Sequence, residues 1–164
     1  MNDDLMNKII LEEVKENELE ILLDMQVESF MPLFEKYHDS MSPAIESIER
    51  IKRRWSVPNR KYFFINMDGT RVGVINIGHN NPKEKRESYI SPLFVLPRFQ
   101  NRGIGYAAIM KAFEIRPDVK RWVLETIMQE NGNCHLYEKC GFKRFGDEKP
   151  VNDKMTLIMY ELYR

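Results

Sequence analysis

The chain has 164 residues, the size of one domain at roughly 100–200 residues per domain. Lys plus Arg and Asp plus Glu number 25 each, for a formal net charge of +0, which excludes a nucleic-acid binder that works by bulk charge but leaves a local basic patch open. Hydrophobic residues at 43% and charged residues at 30% exclude whole-chain disorder and a collagen-like repeat, and no apolar run approaches the ~20 residues that a membrane-spanning helix needs.

Met1-Asn2-Asp3-Asp4 offers neither a basic n-region nor an apolar h-region, so a cytoplasmic setting is expected. Ile9 to Val14 reads as a first strand. A helix should follow from about Asn17 as N-cap, with Leu19, Leu22, Leu23, Gln26 and Phe30 near a 3.6 period. Pro32 permits a break or a new first turn. Ser42-Pro43-Ala44 opens a second helix, with Ser42 at the N-cap and Pro43 at N1. Ile45, Ile48, Ile51 and Trp55 form its apolar stripe, and Lys52-Arg53-Arg54 lie in its last turn, where cations suit the dipole.

From Lys61 the period changes to two. Lys61 to Met67 and Val72 to Ile77 are strands joined by the hairpin turn Asp68-Gly69. Asn80 to Glu87 is a polar loop. Tyr89 to Val95 is a fourth strand interrupted by Pro92. Proline deletes a ladder donor, so a bulge or a break in pairing is expected there. Gln100-Asn101-Arg102-Gly103-Ile104-Gly105 then leads into a helix through about Ile115. Trp122 to Ile127 is a strand, Asn133 to Lys139 a short helix stopped by Gly141, and Phe142 to Phe145 and Met155 to Tyr163 the closing strands. Cys134 and Cys140 are six residues apart on what reads as one helix, pointing to different faces, so no disulfide is expected. The order β-α-α-β-β-β-α-β-α-β-β describes one α/β domain with a mixed, mostly antiparallel sheet and about four helices.

Two stretches carry chemistry. Two glycines in a tight strand-to-helix turn let a bulky ligand approach the backbone at Gly103 and Gly105. The free N–H groups at the helix start, with the positive end of its dipole, suit a pyrophosphate, and Arg102 adds a charge. Taken alone, the six residues equally suit a loop that merely begins a helix. They are not a Walker loop, since no Gly-Lys-Ser/Thr follows, and not a dinucleotide fingerprint, since the third glycine is missing. The second stretch is Leu136-Tyr137-Glu138-Lys139-Cys140-Gly141-Phe142. Locally, a glycine helix stop with Phe142 in the core accounts for it.

Together, Gln100-x-x-Gly103-x-Gly105 after a strand ending Phe94-Val95-Leu96-Pro97, and Leu136-Tyr137-Glu138-Lys139-x-Gly141-Phe142 about 30 residues later, resemble the GNAT superfamily of N-acetyltransferases. The resemblance implies the GNAT fold as a single domain over 1–164, with an acetyl-CoA-binding core at about 89–145 and acceptor-side helices at about 16–56. It implies transfer of an acetyl group from acetyl-CoA to a primary amine of a small molecule or peptide, by direct attack in a ternary complex. No metal, nucleic acid or membrane is implied as partner. The pyrophosphate would rest on Gln100, Asn101, Arg102, Gly103, Ile104, Gly105 and Tyr106. The pantetheine arm would pair with Leu93, Phe94 and Val95, with an oxyanion donor near Val95. Tyr137 would be the general acid toward the departing thiolate.

Two departures from the family pattern follow. The fourth strand carries no glutamate to deprotonate the amine. Glu125, one strand over, is the first substitute, ahead of Glu28, His38, Asp39 and His79, and an amine can also lose its proton to bulk water. The missing acid slightly favours a CoA-binding module of the same fold without turnover, against which the intact Gln100, Gly103, Gly105 and Tyr137 argue. The asparagine usual seven positions before the tyrosine is replaced by Glu130, which leaves Asn133 as the candidate CoA contact. The acceptor pocket implied by the family falls on Gln26 to Trp55. Its candidates are Glu28, Phe30, Phe34, Tyr37 and His38, although aromatic side chains at helical spacing are commonly core. The last strand could leave an exposed edge, through which a homodimer could form.

Overall fold

In a computed structural model that describes residues 3–79, 83 and 86–164, the chain opens with helix α1 (Asp3–Lys8) and passes directly into strand β1 (Ile9–Glu13). A 3₁₀ turn at Glu16–Glu18 precedes α2 (Leu19–Tyr37), and a second at Pro43–Ile45 precedes α3 (Ile48–Trp55). β2 (Arg60–Met67), β3 (Thr70–Gly78) and β4 (Glu87–Val95) follow. A 3₁₀ turn at Pro97–Phe99 then leads to α4 (Ile104–Ile115), β5 (Arg121–Ile127) and α5 (Asn131–Lys139). β6 (Lys143–Pro150) and β7 (Thr156–Tyr163) complete the chain. The seven strands form one sheet in the order β1-β2-β3-β4-β5-β7-β6. β4 and β5 run parallel and the other neighbours antiparallel. This is the single α/β domain read from the sequence, with the addition of α1.

Period-2 patterning divides the core between the two faces of the sheet. Tyr62 and Phe64 of β2, Val74 of β3 and Phe94 of β4 join Leu19, Leu22 and Ile51 beneath α2 and α3. Ile65, Ile75, Trp122 and Tyr160 join Ile109, Phe113 and Tyr137 beneath α4 and α5. Full burial of Ile51 alone is worth about 2 kcal/mol or more relative to exposure.

Four expectations change. α2 begins after a 3₁₀ turn in which Glu18 accepts from the Lys15 backbone N–H at 3.0 Å, not at Asn17. It then runs through Pro32 without ending. Pro32 is exposed while Tyr37, one and a half turns later, is buried, so the anchored last turn offsets the ~3 kcal/mol penalty of an interior proline. The expected second helix is two pieces, because two serines cap within six residues of each other. Ser42 Oγ accepts from Ala44 N at 3.1 Å, Glu46 is extended, and Ser47 Oγ accepts from Arg50 N at 3.3 Å. Ile45 is therefore 50% exposed instead of part of an apolar stripe. Finally, the last strand is not an edge: β7 lies between β5 and β6, and the edges are β1 and β6. β6 carries Lys143, Arg144, Asp147, Glu148 and Lys149, charges that discourage strand addition, and β7 has no free edge for it. The loop expected from Asn80 lies largely outside the described residues.

Candidate active site

The sheet is broken at its centre. β4 pairs with β5 from Glu87↔Arg121 to Ile90↔Leu124, and the pairing then stops. On its other side β4 stays with β3, where Ile77 faces Ile90 and Ile75 faces Leu93. Two residues, Ser91 and Pro92, thus stand opposite the single residue Asn76, a bulge where the proline was expected to cause one. Leu96 N donates to Val72 O at 2.8 Å. Antiparallel pairs alternate, so Phe94 turns its backbone groups to β3 while Leu93 and Val95 turn theirs to the open side. A gap therefore lies between β4 and β5, edged by backbone donors and acceptors. The Val95 carbonyl accepts from Gln100 Nε2 at 2.9 Å, which ties the strand end to the following loop.

That loop ends at the start of α4. Asn101 (φ 62) and Gly103 (φ 81) adopt the left-handed region, where Gly103 is the N-cap. The first α4 bond runs from Ala107 N to Gly103 O at 3.0 Å, so the N–H groups of Ile104, Gly105 and Tyr106 have no acceptor within the helix. Gly105 stands where a Cβ would lie 3.0 Å from Leu136 Cδ2 of α5, which lets the two helices close on the gap. Arg102 is exposed beside Phe99, and Lys139 sits over the Tyr106 ring at 5.1 Å.

A cavity of about 460 Å³ lies on the α2–α3 side of the gap. Leu93, Glu125, Asn133 and Tyr137 line one part, and Ser91 and Pro92 line the stretch at the bulge. Tyr137 is buried, its ring 6.2 Å from Phe142 and 5.9 Å from Tyr160. Burial pushes its phenol well above the ordinary value, with Cys140 and Cys134 adding to the effect, so it keeps its proton at any physiological pH. Glu125 is half-buried, with its carboxylate 3.1 Å from Lys149 Nζ. Cys140 is buried and its thiol is pushed up to about 12, which leaves it inert as a nucleophile.

The rest of the cavity is electrostatically uneven. Glu46, 6% exposed at its side chain, accepts from Arg54 Nη2 at 2.6 Å, and Arg54 Nη1 lies 3.0 Å from the Tyr62 hydroxyl. Arg50 and Arg60 line the same part. Tyr37 donates to Glu130, which also takes Lys36 Nζ at 2.8 Å. Burial alone would raise the Glu130 carboxyl, but the Lys36 and Tyr37 hydrogen bonds outweigh it and hold the group below its ordinary value. Among the described residues no cluster of three His, Cys, Asp or Glu is gathered for a metal, and no helix is long and apolar enough to cross a membrane.

The family model of the GNAT acetyltransferases matches residues 19–142. The chain belongs to the GNAT family of acetyltransferases. Its fold is shared with an acetyltransferase from Thermus thermophilus (TM-score 0.77, 18% identity, 96% of this chain and 97% of that one). It is shared too with a spermidine N-acetyltransferase from Vibrio cholerae in complex with CoA and spermine (0.76, 14%, 96% of each), and with RimL, a ribosomal L7/L12 alpha-N-protein acetyltransferase in complex with coenzyme A (0.72, 16%, 97% and 96%). No curated protein sequence matches the chain.

Within the GNAT fold, the sequence-based site residues separate. Tyr137, Glu125, Asn133, Leu93, Phe30 and Tyr37 come together around the cavity. Phe94 belongs to the core, edge-on to Phe30 at 5.5 Å. Glu28 is exposed and paired with Arg98 at 2.8 Å, and Phe34 packs against His38 at 6.1 Å. None of these three lines the cavity. His38 instead caps α2 in the left-handed region (φ 54). Sequence reasoning missed Glu46, Arg50, Arg54 and Arg60. Arg54 reads as a helix-terminal cation, yet it turns inward to Glu46, eight residues back, across the junction where the expected helix divides.

Proposed function

We propose that this GNAT chain is an acetyl-CoA-dependent N-acetyltransferase that moves the acetyl group to a primary amine of a small molecule or peptide, by direct attack with both substrates bound. One observation supports the reading: the gap between β4 and β5 opens on a cavity lined by Leu93 of β4, Glu125 of β5 and the protonated Tyr137 of α5. The RimL and V. cholerae structures, which hold coenzyme A, support it.

Acetyl-CoA, when bound, supplies an activated thioester. The N–H groups of Ile104, Gly105 and Tyr106, with Arg102 beside them, would hold its diphosphate at the positive end of α4. Leu93 and Val95 would pair with its amide arm as an added strand, and Asn133 would contact it from α5. The Val95 N–H would donate to the carbonyl oxygen as negative charge develops there. Glu125, one of three acids lining the cavity, would take a proton from the incoming ammonium. Tyr137 would give its proton to the departing sulfur.

The test is steady-state release of free thiol from acetyl-CoA with a panel of primary amines. Direct attack gives intersecting double-reciprocal lines. Parallel lines with an acetylated Cys134 would replace direct attack by a covalent route. Tight CoA binding without turnover of any amine would leave a binding module.

A further inference from the structure

Three segments far apart in sequence are tied together at the wall of the cavity, and Tyr37 is where they meet. Tyr37 is the last residue of α2, is 3% exposed, and lines the cavity with Leu33 of the same turn. Its hydroxyl donates to Glu130, and its carbonyl accepts from Asn152 Nδ2 at 2.9 Å. Glu130 is the N-cap of α5, where its carbonyl accepts from Asn133 N at 3.1 Å and Cys134 N at 3.2 Å. Asn133 and Tyr137 of α5 line the same cavity. Asn152 lies between β6 and β7, and its Oδ1 accepts at 3.0 Å from the backbone N–H of Met155, itself a lining residue.

The last turn of α2 depends on those ties. Pro32 has no N–H to donate to Glu28, so the helix lacks one of the bonds leading into the turn that carries Leu33 and Tyr37. His38 then leaves the helix in the left-handed region (φ 54). Glu130 has two donors, and they are unequal. The Lys36 side chain is 59% exposed, so solvent weakens its pair. Tyr37 is buried, where a hydrogen bond is stronger. Burial works against the Glu130 charge, yet the Lys36 and Tyr37 hydrogen bonds hold the carboxyl below its ordinary value, so the tie stands at neutral pH.

We propose that Glu130 is a positioning residue of the acceptor site: through the Tyr37 hydroxyl it holds the α2 wall of the cavity, Leu33 and Tyr37, against the α5 wall, Asn133 and Tyr137, and the amine binds between them. The proposal rests on the N-acetyltransferase reading of the cavity. Glu130 does not itself line the cavity, so its effect on the amine passes through Tyr37. Displacing a bound reactant by about 1 Å costs up to about a hundredfold. A tie between the two walls therefore acts on the amine without touching it.

The test uses the full chain, acetyl-CoA and whichever of spermidine, Gly-Gly-Gly and tyramine is acetylated fastest. Glu130→Ala should raise KM for that amine by about tenfold, the low end for loss of a hydrogen bond to a charged group, and leave KM for acetyl-CoA unchanged. Glu130→Gln keeps an oxygen for the Tyr37 hydroxyl and should recover most of the loss. Tyr37→Phe should raise the amine KM likewise, and it carries the test alone should Glu130→Ala fail to fold. The double variant should be no worse than the larger single one, because both break the same bond. Lys36→Met removes only the exposed donor and should stay near the native KM. A purely structural role would instead lower kcat with the amount of folded protein and leave KM in place. An unmoved amine KM in Glu130→Ala and Tyr37→Phe, an equal rise in KM for acetyl-CoA, multiplied effects in the double variant, or the same loss in Lys36→Met would overturn the proposal. A native chain that acetylates none of the three amines would be the failure of the N-acetyltransferase reading itself, and the proposal would fall with it.

Discussion

Replacing Tyr137 by phenylalanine removes one oxygen and leaves the ring where it is. The ring keeps its contacts with Phe142 at 6.2 Å and Tyr160 at 5.9 Å. The hydroxyl has no hydrogen-bond partner among the described residues, and its raised pKa comes from burial first. No net hydrogen bond of about 1 kcal/mol is lost, so stability should stay within about 0.5 kcal/mol of the native chain. That is a shift of roughly 1–2 °C in Tm for a domain of this size. The rate should behave differently. A positioned general acid contributes about 10²–10⁴-fold, equal to about 3–5 kcal/mol of barrier. The assay pairs a thermal melt with thiol release at saturating acetyl-CoA and one fixed amine. An intact fold with a loss of a hundredfold or more is expected. Because burial holds the phenol protonated, the native pH–rate profile should also lack a descending limb near the ordinary tyrosine value of about 10. Activity within threefold of native, or a fall in Tm beyond about 5 °C, would refute the reasoning.

Other consequences are equally open to measurement. Glu125→Gln should lower kcat by about a hundredfold at neutral pH with little change in Tm, since its Lys149 partner is 68% exposed and exposed pairs contribute about 0–1 kcal/mol; full activity would remove Glu125 from the reaction. Glu46→Ala leaves Arg54 half-buried without its carboxylate and should cost about 3–5 kcal/mol in urea unfolding, whereas a loss below 1 kcal/mol would show that water replaces the pair. Acid should destabilise the fold through carboxyls whose values are lowered on folding, Asp118 beside Arg116 among them. Glu12 is held down by hydrogen bonds from Arg71, Glu18 by the Lys15 backbone N–H, and Glu130 by Lys36 and Tyr37 against its burial. Their stabilisation is complete above the ordinary carboxylate value of about 4.3 and is lost as pH falls through the lowered folded values. Urea midpoints should hold between pH 7 and 5 and fall below pH 4; a flat profile to pH 3 would contradict this.

The part of the site around the β4–β5 gap was more legible in the sequence than the part beneath α2 and α3, for physical reasons. Gly103 and Gly105 mark a tight strand-to-helix turn, with Gly103 in the left-handed region and Gly105 close against Leu136. Pro92 marks a missing ladder donor, and the strand indeed bulges there and parts from β5 beyond Ile90. These are local rules, and local sequence carries them. The part beneath α2 and α3 depends on contacts distant in sequence. Glu130 meets Lys36 and Tyr37 across 94 and 93 residues, and Arg60 crosses a glycine on the neighbouring strand. No periodicity encodes such meetings, so the sequence could not separate Phe30 and Tyr37, which line the cavity, from Glu28, Phe34 and His38, which do not. Pro32 misleads for a related reason: a local rule yields where tertiary burial anchors the helix beyond it.

The most direct measurement is thermal unfolding of the native chain and of Gly103→Glu, each with and without acetyl-CoA. The substitution puts a side chain at φ 81 and a carboxylate where an anion is to bind. At ~100 Kd the ligand should add about 2.7 kcal/mol to the native chain, which is roughly 5–10 °C in Tm. The account predicts that rise in the native chain and its loss in the variant. A native Tm that does not move at millimolar acetyl-CoA, or a variant that shifts as far as the native chain, would contradict it.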